Sequence, residues 1–240
     1  MLYIISMEIT KYNSTNFSKK RRSSKSITVL IIHYTGMQSE RESIKRLTHP
    51  NSKVSSHYLI SRNGKIFRLV NDLYIAWHAG KSQWKKYVNL NKNSIGIELV
   101  NRGHRYGYQT FPKAQINSLV KLCKKLKKKY KIKNNFILAH SDIAPIRKID
   151  PGEKFPWQYL SINGIGNYPK KIDIKNKYKK TQNNGLFFKN LYKIGYRYLN
   201  SKYKTKIIKN FQRKYRQKKI NGIIDFETLK LSQILSKSLN

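Results

Sequence analysis

The spacing of apolar and polar side chains changes along this chain, and each change predicts an element. Residues 27–34 form a continuous apolar run, which is typical of a buried strand. Residues 94–100 alternate, so a strand is predicted there with Glu98 on the face opposite three apolar side chains. Further strands are predicted over residues 57–60, 66–70 and 136–139.

Helical spacing is clearest over residues 112–130, where apolar side chains recur every three or four positions and lysines cover the other face. A shorter helix is predicted over residues 39–47. An Asn-Gly pair between the strands at 57–60 and 66–70 is typical of a hairpin turn. Strands interleaved with helices predict an α/β domain, with a mixed central β-sheet flanked by helices.

The pattern divides the chain into four parts. Residues 1–27 are polar and basic, and we expect a solvated N-terminal lead-in. Residues 28–168 form the α/β domain, and residues 169–184 have few core-forming side chains and predict a linker. Residues 185–240 predict a small three-helix domain, with Asp225 as the N-cap of the last helix.

Charge is the extreme feature of the composition. The 240 residues include 51 Lys and Arg but only 11 Asp and Glu, a formal net charge of +40 that attracts polyanions. The lysines are spread over the whole length, together with abundant Asn, Ile and Tyr, as A/T-rich coding would produce. No motif interleaves basic and stacking aromatic residues on one face, so no specific nucleic-acid partner is predicted.

The single cysteine, Cys123, cannot form a disulfide within the chain. Cysteine content therefore does not distinguish an oxidising from a reducing compartment. The apolar stretch at the N-terminus is too short for a standard signal peptide, and no lipidation cysteine follows it. No segment approaches the length of a transmembrane helix. The sequence does not fix the oligomeric state.

Three polar side chains at the ends of predicted elements suggest a metal centre. His33 lies near the end of the first apolar run, His140 follows the strand at 136–139, and Asp150 comes ten positions later. Two imidazoles and one carboxylate leave one coordination position for water, which is the arrangement of catalytic rather than structural zinc. Such a metal activates water for attack on an amide at neutral pH.

Glu98 and Lys148 are candidate partners of this centre. Glu98 could take a proton from the attacking water, and Lys148, two positions before Asp150, could stabilise the developing negative charge. Each has an ordinary alternative, since a strand glutamate is usually solvated and lysine is abundant throughout this chain.

Five motifs between Val29 and Trp157 occur in a fixed order. They are IIHYT at 31–35, VSSHYLI at 54–60, AWHAG at 76–80, NSIGIEL at 93–99 and the run at 139–157. Together they resemble the type 2 family of zinc-dependent N-acetylmuramoyl-L-alanine amidases, and within it the AmpD/AmiD group.

The resemblance implies one zinc ion per chain, held by His33, His140 and Asp150, with Glu98 and Lys148 as catalytic residues. It implies hydrolysis of the amide between N-acetylmuramic acid, or its anhydro form, and L-alanine of the peptidoglycan stem peptide. The partners would be peptidoglycan or muropeptide fragments, and the process cell-wall degradation or recycling. The resemblance favours a bacterial periplasm or cell envelope, while the cytoplasm stays open without a visible export signal.

Trp77, His78 and His57 lie in these motifs without matching a metal position, and we expect them to contact substrate or support the ligands. A packing role for His78 is the alternative. Residues 207–216 and 221–229 resemble a three-helix peptidoglycan-binding domain, and a stabilising helical appendage is the other reading. The alternative function is a non-catalytic peptidoglycan-binding protein on the same fold, although such proteins typically lose a metal ligand.

Overall fold

The computed structural model describes residues 8–169, 183–199 and 202–238. The chain divides into two compact units, one of residues 1–78 and 91–132 and the other of residues 79–90 and 133–240. The predicted linker at 169–184 falls outside the described residues except at its two ends. In the described part of the chain, no helix combines the length and apolar character that a bilayer crossing requires.

The first unit contains most of the strands, and the second contains most of the helices. In chain order the elements are β1 (Ile9–Lys11), β2 (Phe17–Ser18), β3 (Val29–Tyr34), α1 (Glu40–Thr48), β4 (Tyr58–Ile60), β5 (Ile66–Arg68), β6 (Ile75–Ala76), β7 (Gln83–Trp84), β8 (Tyr87–Val88), β9 (Ser94–Leu99), α2 (Lys113–Tyr130), β10 (Ile137–Ala139), α3 (His140–Ile143), α4 (Trp157–Ile162), α5 (Asn184–Ile194), α6 (Lys204–Tyr215) and α7 (Phe226–Lys237).

Five strands of the first unit form a mixed sheet in the order β1-β5-β4-β9-β3. Strand β9 pairs in parallel with β3 on one side and β4 on the other, and β4 pairs antiparallel with β5. Nearly all residues of the central strands β4, β9 and β3 are buried, as expected for parallel strands inside a sheet. The predicted α/β fold with a mixed sheet flanked by helices is confirmed.

The predicted turn between β4 and β5 is also present, and its backbone conformation requires glycine at position 64. Gly64 has a φ of +91°, a region that L-residues rarely adopt, and a Cβ there would lie 2.9 Å from the carbonyl oxygen of Ala114. The loop therefore lies against the start of α2, where a larger residue would not fit.

Helix α2 buries the predicted apolar stripe and exposes its lysines. Gln115, in its first turn, donates from Nε2 to the carbonyls of Ile60 (2.9 Å) and Val100 (3.1 Å), which holds the helix against the ends of two central strands. Cys123 is fully buried in the same stripe, and burial raises the pKa of its thiol to about 12.

The N-terminal segment differs from the expected solvated lead-in. Strand β1 extends the sheet in parallel with β5, and Arg22 is buried. Its guanidinium donates to the carbonyl of Asp72 (Nη2, 2.8 Å) and to those of Asn91 (3.0 Å) and Lys92 (3.2 Å). Buried carbonyls require donors, and a basic run in the sequence does not reveal which arginine supplies them.

The three predicted C-terminal helices are present in the second unit as α5, α6 and α7. Phe187 of α5 and Phe211 of α6 pack edge to face, with ring centroids 5.3 Å apart. Asp225 is the N-cap of α7, as predicted, and accepts a hydrogen bond from the backbone N–H of Thr228 at 3.0 Å.

Candidate functional site

In the first unit, the sheet register brings a candidate base beside a candidate metal ligand. His33 and Glu98 are the penultimate residues of β3 and β9, and they are direct partners in the parallel ladder. Partners in neighbouring strands project to the same face and lie about 4.8 Å apart along the hydrogen-bonding direction. His33 is buried and Glu98 is half-buried.

A second histidine supports His33. His33 Nε2 lies 3.0 Å from His78 Nδ1, and His78 Nε2 lies 3.2 Å from the hydroxyl of Ser94. Both distances fit hydrogen bonds in which the Nε2–H of His33 donates to Nδ1 of His78, and the Nε2–H of His78 donates to the hydroxyl oxygen of Ser94. In this tautomer, the Nδ1 lone pair of His33 is the one that a metal can take.

Gly96 makes room for this support. A Cβ at Gly96 would lie 2.4 Å from Cγ of the His78 ring, far inside van der Waals contact. The absence of a side chain in the middle of β9 therefore lets the imidazole of His78 lie against the strand.

His57 is a core residue, fully buried beside the same strand. Its Nδ1 accepts the backbone N–H of Gly96 (3.0 Å), so Nε2 carries the proton in the neutral ring and donates to the carbonyl of Tyr74 (3.1 Å). Burial, with the nearby charge of Arg22, lowers the pKa of His57 to about 3. His57 exposes no surface to a substrate, so any part it plays is one of support.

Trp77 is half-buried, and its indole N–H donates to the hydroxyl of Ser18 at 3.3 Å. Its backbone N–H is also held, by the hydroxyl of Ser55 at 2.9 Å. Contact of Trp77 or His78 with substrate stays a prediction.

In the second unit, one loop carries two candidate ligands. His140 follows β10 directly, and its Nδ1 lies 3.1 Å from Oδ2 of Asp150. The backbone N–H of Ser141 donates to the carbonyl of Asp150 at 3.1 Å, which closes the loop. Both ligand side chains are buried.

The three candidate ligands are divided between the units: His33 belongs to the first, and His140 and Asp150 belong to the second. Two neutral imidazoles and one carboxylate are a donor set that suits zinc. Within the second unit, the contact between His140 and Asp150 already pairs two of these donors.

Two cationic residues precede Asp150 in this loop. Lys148 is half-buried, and its backbone N–H donates to the carbonyl of Ala144 at 3.0 Å. Arg147, which the sequence did not single out, donates to the carbonyls of Ala79 and Lys81, and its Nη2 lies 3.5 Å from His140 Nε2. Burial lowers the pKa of Arg147, while Asp150 acts in the opposite direction. An arginine among 51 basic residues gives no signal of such a position.

Most of the mixed α/β fold, together with the candidate ligands His33, His140 and Asp150, falls within a segment of the chain that matches a known family. Residues 23–153 match the N-acetylmuramoyl-L-alanine amidase family, Amidase_2. That match covers more than half of the chain, and the chain belongs to this family.

Individual relatives agree with that assignment. Over 155 residues the chain is 45% identical to N-acetylmuramoyl-L-alanine amidase AmiD of Escherichia coli, a match to 60% of this chain and 55% of AmiD. The aligned sequence segment thus spans about half the length of that relative. It is 37% identical over 161 residues to 1,6-anhydro-N-acetylmuramyl-L-alanine amidase AmpD of Haemophilus influenzae, matching 59% of this chain and 85% of AmpD.

Solved structures extend the similarity to the C-terminal helices. AmiD from E. coli, in complex with anhydro-N-acetylmuramic acid-L-Ala-D-gamma-Glu-L-Lys, superposes with a TM-score of 0.80 at 33% identity, over 92% of each chain. AmpDh3 from Pseudomonas aeruginosa, in complex with an anhydromuramic pentapeptide, superposes with a TM-score of 0.78 at 28% identity. That second match covers 93% of this chain and 96% of AmpDh3.

Proposed function

We propose that this chain hydrolyses the amide bond between N-acetylmuramic acid, or its anhydro form, and L-alanine of the peptidoglycan stem peptide. The observation that carries the proposal is the contact of His140 with Asp150 on one loop, in a chain of this family whose His33 and Glu98 are ladder partners. Peptidoglycan fragments are the proposed substrate class, supported by the muropeptides bound in the similar structures.

The proposed cofactor is one zinc ion, held by His33, His140 and Asp150. Zinc would polarise the amide carbonyl and lower the pKa of a water molecule so that it can attack at neutral pH. The contact from His78 would hold the His33 ring in the tautomer that can bind the metal, and burial of the three ligands limits competition from solvent.

The protein groups would move the protons. Glu98 would accept a proton from the attacking water and later deliver it to the leaving amine of L-alanine, so that the C–N bond breaks and a new C–O bond forms. Lys148 would lie beside the tetrahedral oxyanion and stabilise its charge. Trp77 would contact the glycan or the peptide. His78 would support His33, and His57 would support strand β9 from the core.

The domain organisation is part of the proposal. Residues 28–168 would carry out the chemistry, and the helices within 185–240 would bind peptidoglycan and raise the local concentration of substrate. The resemblance of residues 207–216 and 221–229 to a three-helix peptidoglycan-binding domain supports this role.

A defined muropeptide and mass spectrometry test the proposal directly. We expect release of a stem peptide with a free L-alanine amino terminus, loss of that release on chelation, and its recovery when zinc is added back. Absence of release from a protein that retains zinc would instead favour the second candidate, a peptidoglycan-binding protein without catalysis. Polymeric wall as a parallel substrate distinguishes that result from a requirement for intact peptidoglycan.

A further inference from the structure

A buried carboxylate, Asp142, lies two residues after His140. Most of the hydrogen bonds that it accepts come from side chains of the C-terminal helical region. Its Oδ2 accepts the backbone N–H of Ala139 (2.8 Å) and the ammonium of Lys214 from α6 (2.5 Å). Its Oδ1 accepts the phenol of Tyr196 at 2.6 Å. All of these residues belong to the second unit.

This ion pair has almost no access to water. The side chains of Lys214 and Asp142 are 5% and 1% exposed. A charge left without its partner in such a place is strongly unfavourable, so the two residues constrain one another. Burial, and then the charge of Asp142, raises the pKa of Tyr196, which keeps the phenol protonated and able to donate.

Helix α6 makes a second connection to the same loop. Asn210, one turn before Lys214, donates from Nδ2 to the carbonyls of Pro145 (2.8 Å) and Lys148 (2.9 Å). Residues four apart lie on the same helix face, so one face of α6 holds the loop at its start and in its middle. The ammonium of Lys214 also lies 4.3 Å from the centre of the Trp157 ring, which fixes its position further.

We propose that α6 and Tyr196 position the metal-binding loop, with Lys214, Asn210 and Tyr196 as positioning residues for His140 and Asp150. The inference rests on the proposed zinc site, and it gives the C-terminal helices a role in the catalytic centre beyond holding substrate nearby. A helix that only tethers peptidoglycan would not need buried bonds to the backbone between two metal ligands.

Two buried asparagines provide a matched test. Asn210 contacts the loop, whereas Asn190 of α5 donates to the hydroxyl of Ser232 in α7 at 3.0 Å. They are 2% and 5% exposed, so Asn210→Ala and Asn190→Ala remove similar groups from the same helical region. Lys214→Met removes the buried charge, and Lys214→Arg retains it.

Amide hydrogen exchange of the zinc-free protein is the first measurement. We expect residues 140–150 to exchange at least tenfold faster in Asn210→Ala and Lys214→Met, with no such change in Asn190→Ala. Should Lys214→Met fail to fold, Asn210→Ala decides the comparison. Equal exchange of the loop in the two asparagine variants would overturn the inference.

Zinc affinity, from competition with a chromophoric chelator, is the second measurement. We expect Lys214→Met to raise the zinc Kd by roughly 10- to 100-fold, as for other residues that orient metal ligands, and Lys214→Arg to recover part of the loss. The visible spectrum of the cobalt-substituted protein should change in Lys214→Met and not in Asn190→Ala. Equal affinities and spectra in all variants would contradict positioning of the ligands.

The two proposals fail in different ways. A wild-type protein that binds no zinc would refute the proposed metal site, and with it the positioning of ligands. Normal zinc binding together with unchanged loop exchange would refute the role of α6 alone.

Discussion

The side chains of His33 and Glu98 leave neighbouring parallel strands at the same level and on the same face of the sheet. The separation of the two groups is therefore set by backbone hydrogen bonds and not by a flexible loop. The proposed base, Glu98, would therefore need little reorganisation when the reaction begins.

Replacing Glu98 with Gln should lower kcat by roughly a hundredfold to ten-thousandfold, because the isosteric amide cannot accept the proton of the attacking water. The measurement is the rate of stem-peptide release from a defined muropeptide. Zinc content and thermal stability should stay close to wild type. A variant with normal turnover would show that another group is the base.

Zinc should stabilise the folded protein, because a site built from residues as distant in the sequence as His33 and His140 does not exist in the unfolded chain. At a free zinc concentration about 100 times Kd, the expected gain in the free energy of unfolding is about 2.7 kcal/mol. His33→Ala should abolish the zinc-dependent rise in melting temperature. His104→Ala, at an exposed histidine, is the control and should keep it.

Gly96→Ala should displace the ring of His78, since the added Cβ would lie 2.4 Å from it. We expect a loss of roughly 1–3 kcal/mol in the free energy of unfolding from the steric conflict. We also expect weaker zinc binding, because His33 loses its support. Urea denaturation and chelator competition measure the two effects.

Gly185→Ala is the matched control for that variant. Gly185 lies in α5, and a Cβ there meets nothing within 4 Å. The same substitution should therefore leave zinc binding unchanged, and because Gly185 lies in the first turn, it should stabilise the protein by less than the roughly 0.5–1 kcal/mol of a mid-helix site. Equal behaviour of the two variants would contradict the role assigned to Gly96.

Acid should destabilise the protein through His57. Its pKa is about 3 in the folded state against 6.5 for an ordinary histidine, so between these values the unfolded chain binds more protons. The free energy of unfolding then falls as the pH falls, by up to about 1.4 kcal/mol per pH unit from this group. His57→Gln should flatten urea-unfolding stability against pH, whereas exposed His49→Gln should not.

The elements with regular spacing could be predicted from the sequence, and the irregular ones could not. The stripe on α2, the alternation of β9 and the Asn-Gly turn each follow from one local rule, and each was confirmed. Strand β1 has only three residues, and its pairing with β5 depends on a neighbour more than fifty positions away. No local pattern carries that information.

Some residues of the candidate site could likewise be predicted from the sequence, and others could not. His33, His140 and Asp150 could be found because donor residues at strand ends and family motifs limit the choices. The motifs also singled out His78, although not which atoms it contacts. The proximity of Arg147 to His140 and the ion pair between Asp142 and Lys214 could not be found. Each depends on which of many similar polar side chains is buried, and only packing decides that.

Cys123 gives this protein a built-in reporter of global unfolding. It is the single cysteine of the chain, it is fully buried on α2, and its thiol has a pKa of about 12. The reactive thiolate is therefore almost absent at neutral pH in the native state. A thiol-specific dye should label each molecule once, and only after the core opens. The labelling rate would therefore measure the rate of unfolding without any engineered probe.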